Sequence, residues 1–89
     1  MVYMIIEDFR GDAPAVYRRF RTEGRLMPDG LKYISSWITS DYSRCFQVME
    51  CEDRALLEQW MANWADLMKF EVIPVITSAE ASATMAAKD

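Results

Sequence analysis

The succession of short segments is what most constrains the fold of this chain. Two β-rich runs, residues 31–38 and 44–51, are joined by a short polar connection, and a helical pattern lies on each side of the pair. A further β-rich run stands outside each helical pattern, at Val2–Asp8 and Phe70–Thr77. The resulting order, βαββαβ, is typical of the ferredoxin-like fold. We therefore expect an α+β protein with a four-stranded antiparallel sheet in the order 4-1-3-2 and both helices on one face.

Local signals mark the ends of the two helices. Asp12 can accept hydrogen bonds from the first N–H groups of a helix that carries Pro14 in its first turn, and Gly24 is suited to end that helix. Asp53 stands at the start of the second helix in the same way. The second helical pattern extends to Phe70 and has one broad apolar side, which we expect in the core: Leu56, Leu57, Trp60, Met61, Trp64, Leu67 and Met68.

The end of the chain departs from a regular strand pattern. The last β-rich run contains Pro74, which has no N–H to donate, so we expect either an edge strand or a β-bulge there. A length of 89 residues is typical of one domain. We assign residues 1–78 to a single ferredoxin-like domain. Residues 79–89 then form a C-terminal tail, which is either frayed or folded as a short helix.

Composition narrows the classes of function. The formal net charge is −4, without the concentrated basic face that a nucleic-acid surface needs. No apolar run approaches the roughly 18 residues of a membrane span, and no signal segment opens the chain, so we expect a cytoplasmic protein with reduced thiols. Hydrophobic residues make up 52% of the sequence, more than one small core readily absorbs, which favours self-association.

Side chains along a strand alternate between the two faces of a sheet. On the third strand we expect Phe46 and Val48 to face the helices, which leaves Cys45, Gln47 and Met49 on the other face. We expect that second face to be completed by residues of the neighbouring strands: Tyr3, Ile5, Glu7, Tyr33, Ser35 and Trp37. This set is too apolar for open water and too polar for an ordinary core. We therefore expect two copies of the chain to pack sheet against sheet as a homodimer.

Five side chains of that second face form a candidate site: Glu7, Tyr33, Trp37, Cys45 and Gln47. A carboxyl group beside aromatic rings has a raised pKa, so Glu7 is our candidate for proton transfer. Tyr33 and Trp37 would supply flat apolar walls for a small ligand, and Gln47 a polar anchor. Plainer interpretations exist: Glu7 meets solvent at the end of its strand, and Gln47 forms a hydrogen bond across the dimer interface.

The two cysteines, Cys45 and Cys51, lie on one strand face at a separation too long for a disulfide. The chain has no histidine and no close cysteine pair, so we expect no bound metal. Both thiols are interpreted as small buried apolar groups. The alternative is redox chemistry at Cys45, which would require a nearby positive charge to lower its pKa.

Basic residues cluster on the first helix, at Arg18, Arg19 and Arg21. Such a cluster is usually a solvated face with local carboxylate partners. The alternative is an anion site that also includes Arg25, which follows the helix.

Four runs of the sequence carry a family resemblance: YMIIEDFR, VYRRFRTEGRLMPDGLKYISSWI, RCFQVMECED and LLEQWMANWADLMKFEVIPVITSAEA. Through them, from Met1 to about Ala81, the chain resembles a family of short bacterial proteins known only as a domain of unknown function. That family is similar to the dimeric α+β-barrel superfamily, in which two ferredoxin-like protomers pack sheet against sheet. The resemblance therefore implies both a fold and a dimer.

The superfamily includes cofactor-independent monooxygenases, muconolactone-isomerase-like enzymes and dye-decolourising haem proteins. The resemblance carries over no catalytic residue, and the histidines that several of those enzymes use are absent here, so we expect no cofactor. The expected function is binding of a small, partly aromatic or carbonyl-bearing molecule beside the sheet, with monooxygenase- or isomerase-like chemistry if the protein is an enzyme. The alternative is a non-catalytic interaction or regulatory module whose sheet face serves only dimerisation.

Overall fold

Seven elements follow one another along residues 1–89, all of which the computed structural model describes. They are β1 (Val2–Asp8), α1 (Ala13–Glu23), β2 (Lys32–Ile38), β3 (Arg44–Glu50), α2 (Arg54–Ala62), β4 (Lys69–Val75) and α3 (Ser78–Ala86). The predicted α+β, ferredoxin-like arrangement is confirmed. None of the helices is both long enough and apolar enough to cross a lipid bilayer.

The strands form one antiparallel sheet in the order β2-β3-β1-β4, which is the predicted order counted from the opposite edge. β1 is a central strand, where Ile5 lies between Gln47 of β3 and Val72 of β4. Pro74 lies on β4, which is an edge strand as predicted. At an edge, a residue without an N–H group interrupts fewer ladder hydrogen bonds than it would in a central strand.

α1 begins and ends at the residues that the sequence signals indicate. The Asp12 side chain accepts a hydrogen bond from the Ala15 N–H at 3.2 Å, and Pro14 lies in the first turn. Gly24 has a φ of 70° and donates its N–H to the Phe20 carbonyl at 2.8 Å. This left-handed conformation, which glycine adopts without steric strain, ends the helix.

α2 is shorter than predicted, because it ends at Ala62 rather than continuing to Phe70. Asp53 caps its start by accepting a backbone N–H of the first turn at 2.9 Å. Beyond Ala62 the chain proceeds in tight turns, in which the Trp64 N–H donates to the Met61 carbonyl. Such turns repeat about every three residues, so the apolar periodicity continues past the end of the helix and does not reveal where it stops.

The C-terminal segment forms α3. Thr77 caps this helix by accepting the Glu80 N–H on its hydroxyl oxygen at 3.0 Å. No residue of α3 is buried, so the helix adds nothing to the core. The division into a domain of residues 1–78 and a tail of residues 79–89 stays a prediction.

The two faces of β3 are the reverse of the prediction. Cys45, Gln47 and Met49 are buried on the side of the sheet that the helices cover, which we call the helix face. Phe46 and Val48 are half-buried on the opposite side, which we call the open face. The expectation that Phe46 and Val48 meet the helices is therefore wrong.

Charge at the strand ends explains this orientation. Arg44 and Glu50, the first and last residues of β3, have the same parity as Phe46 and therefore share its face. Turning that face towards the helices would bring both charged groups under them, at a large desolvation cost. In the observed orientation, β3 presents only Gln47 and smaller or apolar side chains to the helix face. Glu7 of β1 lies on the same face.

A bulge in β2 separates two side chains that were predicted to share a face. Tyr33 lies opposite a helix-face residue of β3, whereas Ser35 lies opposite an open-face residue, so Ile34 is the extra residue between them. Trp37 consequently lies opposite Phe46 on the open face, where it is 62% exposed. The prediction that Tyr33 and Trp37 line one site is therefore wrong.

The open face is largely apolar in its middle and charged at its ends. Its charged residues have both signs, and include Asp8, Arg44, Glu50 and Lys69. Its apolar residues are Val2, Met4, Ile6, Trp37, Phe46, Val48, Ile73 and Val75. None of its residues is fully buried, and Trp37 and Ile73 are exposed on it.

Candidate functional site

A pocket of about 230 Å³ lies between the helix face of the sheet and the helices. Nine of its 13 lining residues are hydrophobic, among them Phe20 and Ile38, which are partly exposed at its rim. The four polar residues that line it are Glu7, Arg25, Ser36 and Gln47. A largely apolar pocket with a few convergent polar groups is the usual form of a small-molecule site.

Glu7 reaches the pocket from β1, where it lies between Cys45 of β3 and Phe70 of β4. The residue is only 5% exposed, and its Oε2 atom is buried without any hydrogen-bond partner. Burial raises the pKa of Glu7 to about 7, and the positive charge of Arg25 opposes part of that rise. At neutral pH the carboxyl group is therefore present in both protonation states, as a general acid or base requires. The alternative interpretation, that Glu7 meets solvent at the end of its strand, is therefore wrong.

Arg25 enters the pocket from the loop between α1 and β2. Its backbone carbonyl accepts two hydrogen bonds, from Trp60 Nε1 and Trp64 Nε1, each at 3.0 Å. Its guanidinium carbon lies 3.8 Å from the centre of the Tyr33 ring and 5.2 Å from that of Phe20. The backbone and the side chain of Arg25 are thus both held in place.

Sequence reasoning placed Arg25 only in an alternative anion site on α1, and the structure does not group it with the other arginines. The signal that could have revealed its role is the pair Trp60 and Trp64, one helical turn apart. Both rings lie in the core as predicted. A buried indole N–H usually donates to a hydrogen-bond acceptor. Two tryptophans four residues apart therefore indicate that one backbone carbonyl group nearby could accept from both.

Both the oxygen and the nitrogen of the Gln47 side-chain amide form hydrogen bonds within the protein. Its Oε1 atom accepts from Arg25 Nη1 at 3.3 Å, and its Nε2 atom donates to Met49 Sδ at 3.2 Å. It therefore orients Arg25 rather than presenting a free amide to a ligand. Because Gln47 is buried under the helices, it also cannot form the hydrogen bond across an open-face dimer that was the alternative.

Cys45 lines the pocket directly opposite Glu7. Burial, and secondarily the charge of Glu7, raise the pKa of the Cys45 thiol to about 12, so it stays protonated at neutral pH. This argues against the alternative of thiolate redox chemistry. Cys51 is also buried and free, just beyond the end of β3.

Of the remaining predicted site residues, Tyr33 contributes indirectly and Trp37 does not contribute. The Tyr33 ring supports the Arg25 side chain, and its hydroxyl group forms a hydrogen bond of 2.7 Å with the Ser36 hydroxyl group. Trp37 lies on the other side of the sheet. No group of three or more acidic, cysteine or histidine side chains is placed to hold a metal ion.

The arginines of α1 lie outside the pocket. Arg19 forms a two-point ion pair with Asp66, with N–O distances of 2.7 Å and 2.6 Å. This pair is the local carboxylate partnership expected of a solvated basic face. Arg18 and Arg21 are exposed.

Comparison with known proteins places this arrangement in a family. The family model described as "Domain of unknown function (DUF3303)" matches residues 1–89. The chain belongs to this family. The predicted resemblance is confirmed, and it extends past Ala81 to the last residue of this DUF3303 protein. No curated protein and no solved structure matches the sequence.

Proposed function

We propose that this DUF3303 protein binds a small, partly aromatic or carbonyl-bearing molecule in the pocket between the sheet and the helices, and transfers a proton through Glu7. One observation carries the proposal: a buried carboxyl oxygen without a hydrogen-bond partner forms part of the wall of a largely apolar pocket. Such an atom destabilises the unliganded fold, and a bound donor group removes that cost.

An isomerase-like reaction is the chemistry that best fits these groups. The ionised carboxyl group of Glu7 accepts a proton from a carbon atom next to a carbonyl group, and the resulting carboxylic acid returns a proton to another atom of the same molecule. Both steps occur at neutral pH because the pKa of Glu7 is about 7. The reaction needs no further reactant. The expected setting is the cytoplasm.

Acetophenone is a suitable first probe, because it combines one aromatic ring with an enolisable carbonyl group. Saturation-transfer NMR should detect its binding, and native mass spectrometry of gently purified protein should detect a carried small molecule. In heavy water the protein should accelerate the exchange of the methyl hydrogens of acetophenone for deuterium. Glu7→Gln should slow this exchange about a hundredfold or more, since proton-transfer groups contribute on that scale.

Glu52→Gln is the matched control, because Glu52 is an exposed carboxylate in the loop before α2, outside the pocket. It should leave the exchange rate unchanged. Binding without accelerated exchange would show a binding protein rather than an enzyme. If acetophenone does not bind and no molecule is carried, the proposed function is wrong.

A second proposal concerns assembly, and the open face supports it. We infer that two copies pair through this face, as in the dimeric α+β barrels. The surface is apolar in its middle, with Trp37 and Ile73 exposed, and its charges of both signs allow a copy to complement itself across a two-fold axis. If the face serves only this purpose and the pocket stays empty, the protein is a non-catalytic interaction module. Light scattering at micromolar concentration should give twice the mass of the chain.

A further inference from the structure

We propose that the ligand of this pocket is a single-ring weak acid, a phenol or an enol, which binds as its oxyanion against Arg25 while its proton passes to Glu7. This inference rests on the proposed function, because it names the class of molecule for the same pocket. It is carried by two groups: a guanidinium group that forms no ion pair, and a buried carboxyl oxygen that has no hydrogen-bond partner.

The size of the pocket limits the ligand to about one ring. A cavity of roughly 150 Å³ with apolar walls holds one benzene molecule. The pocket here measures about 230 Å³ and is mainly apolar and aromatic. It therefore has room for one ring with a few small substituents, and its walls favour a flat, weakly polar molecule over a sugar or an amino acid.

Arg25 forms no direct ion pair in the protein. Its guanidinium group has five N–H donors, and one of them is used, in the bond to Gln47 Oε1. Neither of the two ion pairs of the protein includes Arg25; they join Arg19 to Asp66 and Arg54 to Glu58. The positive charge therefore faces the pocket with donors to spare. An oxyanion is the ligand group that pairs best with such donors.

Glu7 supplies the complementary half of the site. Its unpartnered Oε2 atom needs a donor, and a ligand hydroxyl group is one. When the proton moves, the ligand O–H bond breaks, its electron pair stays on the ligand oxygen, and a new O–H bond forms on the Glu7 carboxyl group. The total charge of the pocket and its ligand does not change. The new negative charge then lies beside Arg25.

The other groups around Glu7 do not compete for this proton. Tyr17 of α1 and Cys45 of β3 are the remaining titratable side chains that face it, and burial raises the pKa of both, so they stay protonated. Apart from Arg25, the other residues that line the pocket do not titrate, and neither does Phe70, which lies opposite Glu7 on β4. Glu7 is thus the one acceptor available to the ligand.

The probe for this inference is 4-hydroxyacetophenone, whose ionisation shifts its near-ultraviolet absorption. The measurement is made just above pH 7, where Glu7 is mainly ionised and the free probe is mainly the neutral phenol. Two control molecules lack the acidic proton: acetophenone is smaller than the probe, and 4-methoxyacetophenone is larger. The probe should bind about tenfold or more tightly than either control, as one additional hydrogen bond to a charged group predicts. The absorption of the phenolate should develop as it binds.

Variants assign the two halves of the site. Arg25→Met should weaken probe binding about tenfold and abolish the phenolate signal, and Arg25→Lys, which keeps the charge, should retain much of both. Arg18→Met is the matched control, because Arg18 is exposed on α1, and it should change neither. Glu7→Gln removes the acceptor, so binding should then release a proton into solution for each bound probe. The wild-type protein should release almost none.

The outcomes separate this inference from the proposed function. If the probe binds as the neutral phenol, or no more tightly than both controls, the ligand is not an oxyanion and this inference is wrong, although the pocket still binds single-ring carbonyl compounds. An unchanged phenolate signal in Arg25→Met, with a melting temperature near that of the wild type, would also overturn it. If none of the three compounds binds, the inference and the proposed function fail together.

Discussion

The two faces of the sheet each depart from the usual distribution of side chains, and they do so in opposite directions: the helix face buries polar groups, and the open face exposes apolar ones. The helix face buries Glu7 and Gln47, which are 5% and 3% exposed, whereas the open face leaves Trp37 62% exposed. Buried polar groups and exposed large apolar groups are the two exceptions to the normal distribution that carry information. Each exception supports a different proposal made above: a small ligand for the helix face, and a second copy of the chain for the open face.

Both arrangements cost stability in the isolated chain. An unpaired carboxyl oxygen in the core loses its hydration without gaining a hydrogen bond in exchange. The exposed apolar surface loses the stabilisation that burial would provide. Binding removes each cost separately, so substitutions on the two faces should act on different measurements.

The largest expected difference between the faces is in folding stability. Trp60→Ala removes a buried ring that contacts Phe70 and donates to Arg25, and should lower the free energy of unfolding by about 3–5 kcal/mol. Phe46→Ala, on the half-buried open face, should cost only about 1 kcal/mol. Urea denaturation at a concentration low enough to keep the chain monomeric measures both, with Trp60→Phe as a control that keeps an aromatic ring. Equal costs for the two alanine variants would contradict the assignment of the faces.

The second expected effect is a fall in stability as the pH rises from about 4.5 to about 7. Across this range the folded state keeps the proton on Glu7, whose pKa is about 7, while the unfolded chain loses it near the ordinary value of 4.5. Once Glu7 is ionised in both the folded and the unfolded state, its burial lowers the free energy of unfolding by about 3 kcal/mol. The groups facing Glu7 are Tyr17, Arg25 and Cys45, and only Arg25 is charged, which partly offsets this loss.

The measurement for Glu7 is the free energy of unfolding at several pH values in the wild type and in Glu7→Gln. The difference between the two proteins should change across this window, since glutamine does not titrate. Glu52→Gln should follow the wild type throughout, because Glu52 is exposed and lies outside the sheet. A pH-independent difference between wild type and Glu7→Gln would mean that Glu7 is not a buried, proton-binding group.

Gln47→Ala tests whether Gln47 positions Arg25 on the helix face. It removes the acceptor that holds Arg25 Nη1 and should lower the free energy of unfolding by about 1–2 kcal/mol. Because Arg25 then loses a fixed orientation, binding of 4-hydroxyacetophenone should weaken as well. Gln59→Ala is the control, since Gln59 is exposed on α2. Unchanged binding in Gln47→Ala would show that Gln47 does not position Arg25.

The smallest expected effect on the stability of the single chain is that of Trp37→Glu. An exposed side chain contributes little to folding, so the change should stay within about 0.5 kcal/mol. The same substitution places a charge among the apolar residues of the open face, and should shift light scattering from the dimer to the monomer mass. Tyr42→Glu is a close control, because Tyr42 is also 62% exposed but lies in the loop between β2 and β3. Equal dimer loss in both variants would argue against the open face as the interface.

The sequence by itself determined which elements form and where most of them begin. The bounds of α1 are set by Asp12, Pro14 and Gly24. Each of these residues acts on backbone groups within one helical turn of itself, so the local sequence is enough to predict its effect. The sheet order followed from the succession of elements, and the edge position of β4 from Pro74. The end of α2 could not be predicted, because tight turns after Ala62 continue its apolar periodicity.

Only the tertiary structure decided which side chains meet at the candidate site. An alternation of period two establishes that Cys45 and Gln47 share a face, but not that this face meets the helices. The bulge at Ile34 then separated Trp37 from Tyr33, with which sequence parity had grouped it. Arg25 is held by the indole groups of two residues 35 and 39 positions further along the chain. Hydrogen bonds between such distant residues form only when the helices pack on the sheet, so no local pattern contains them.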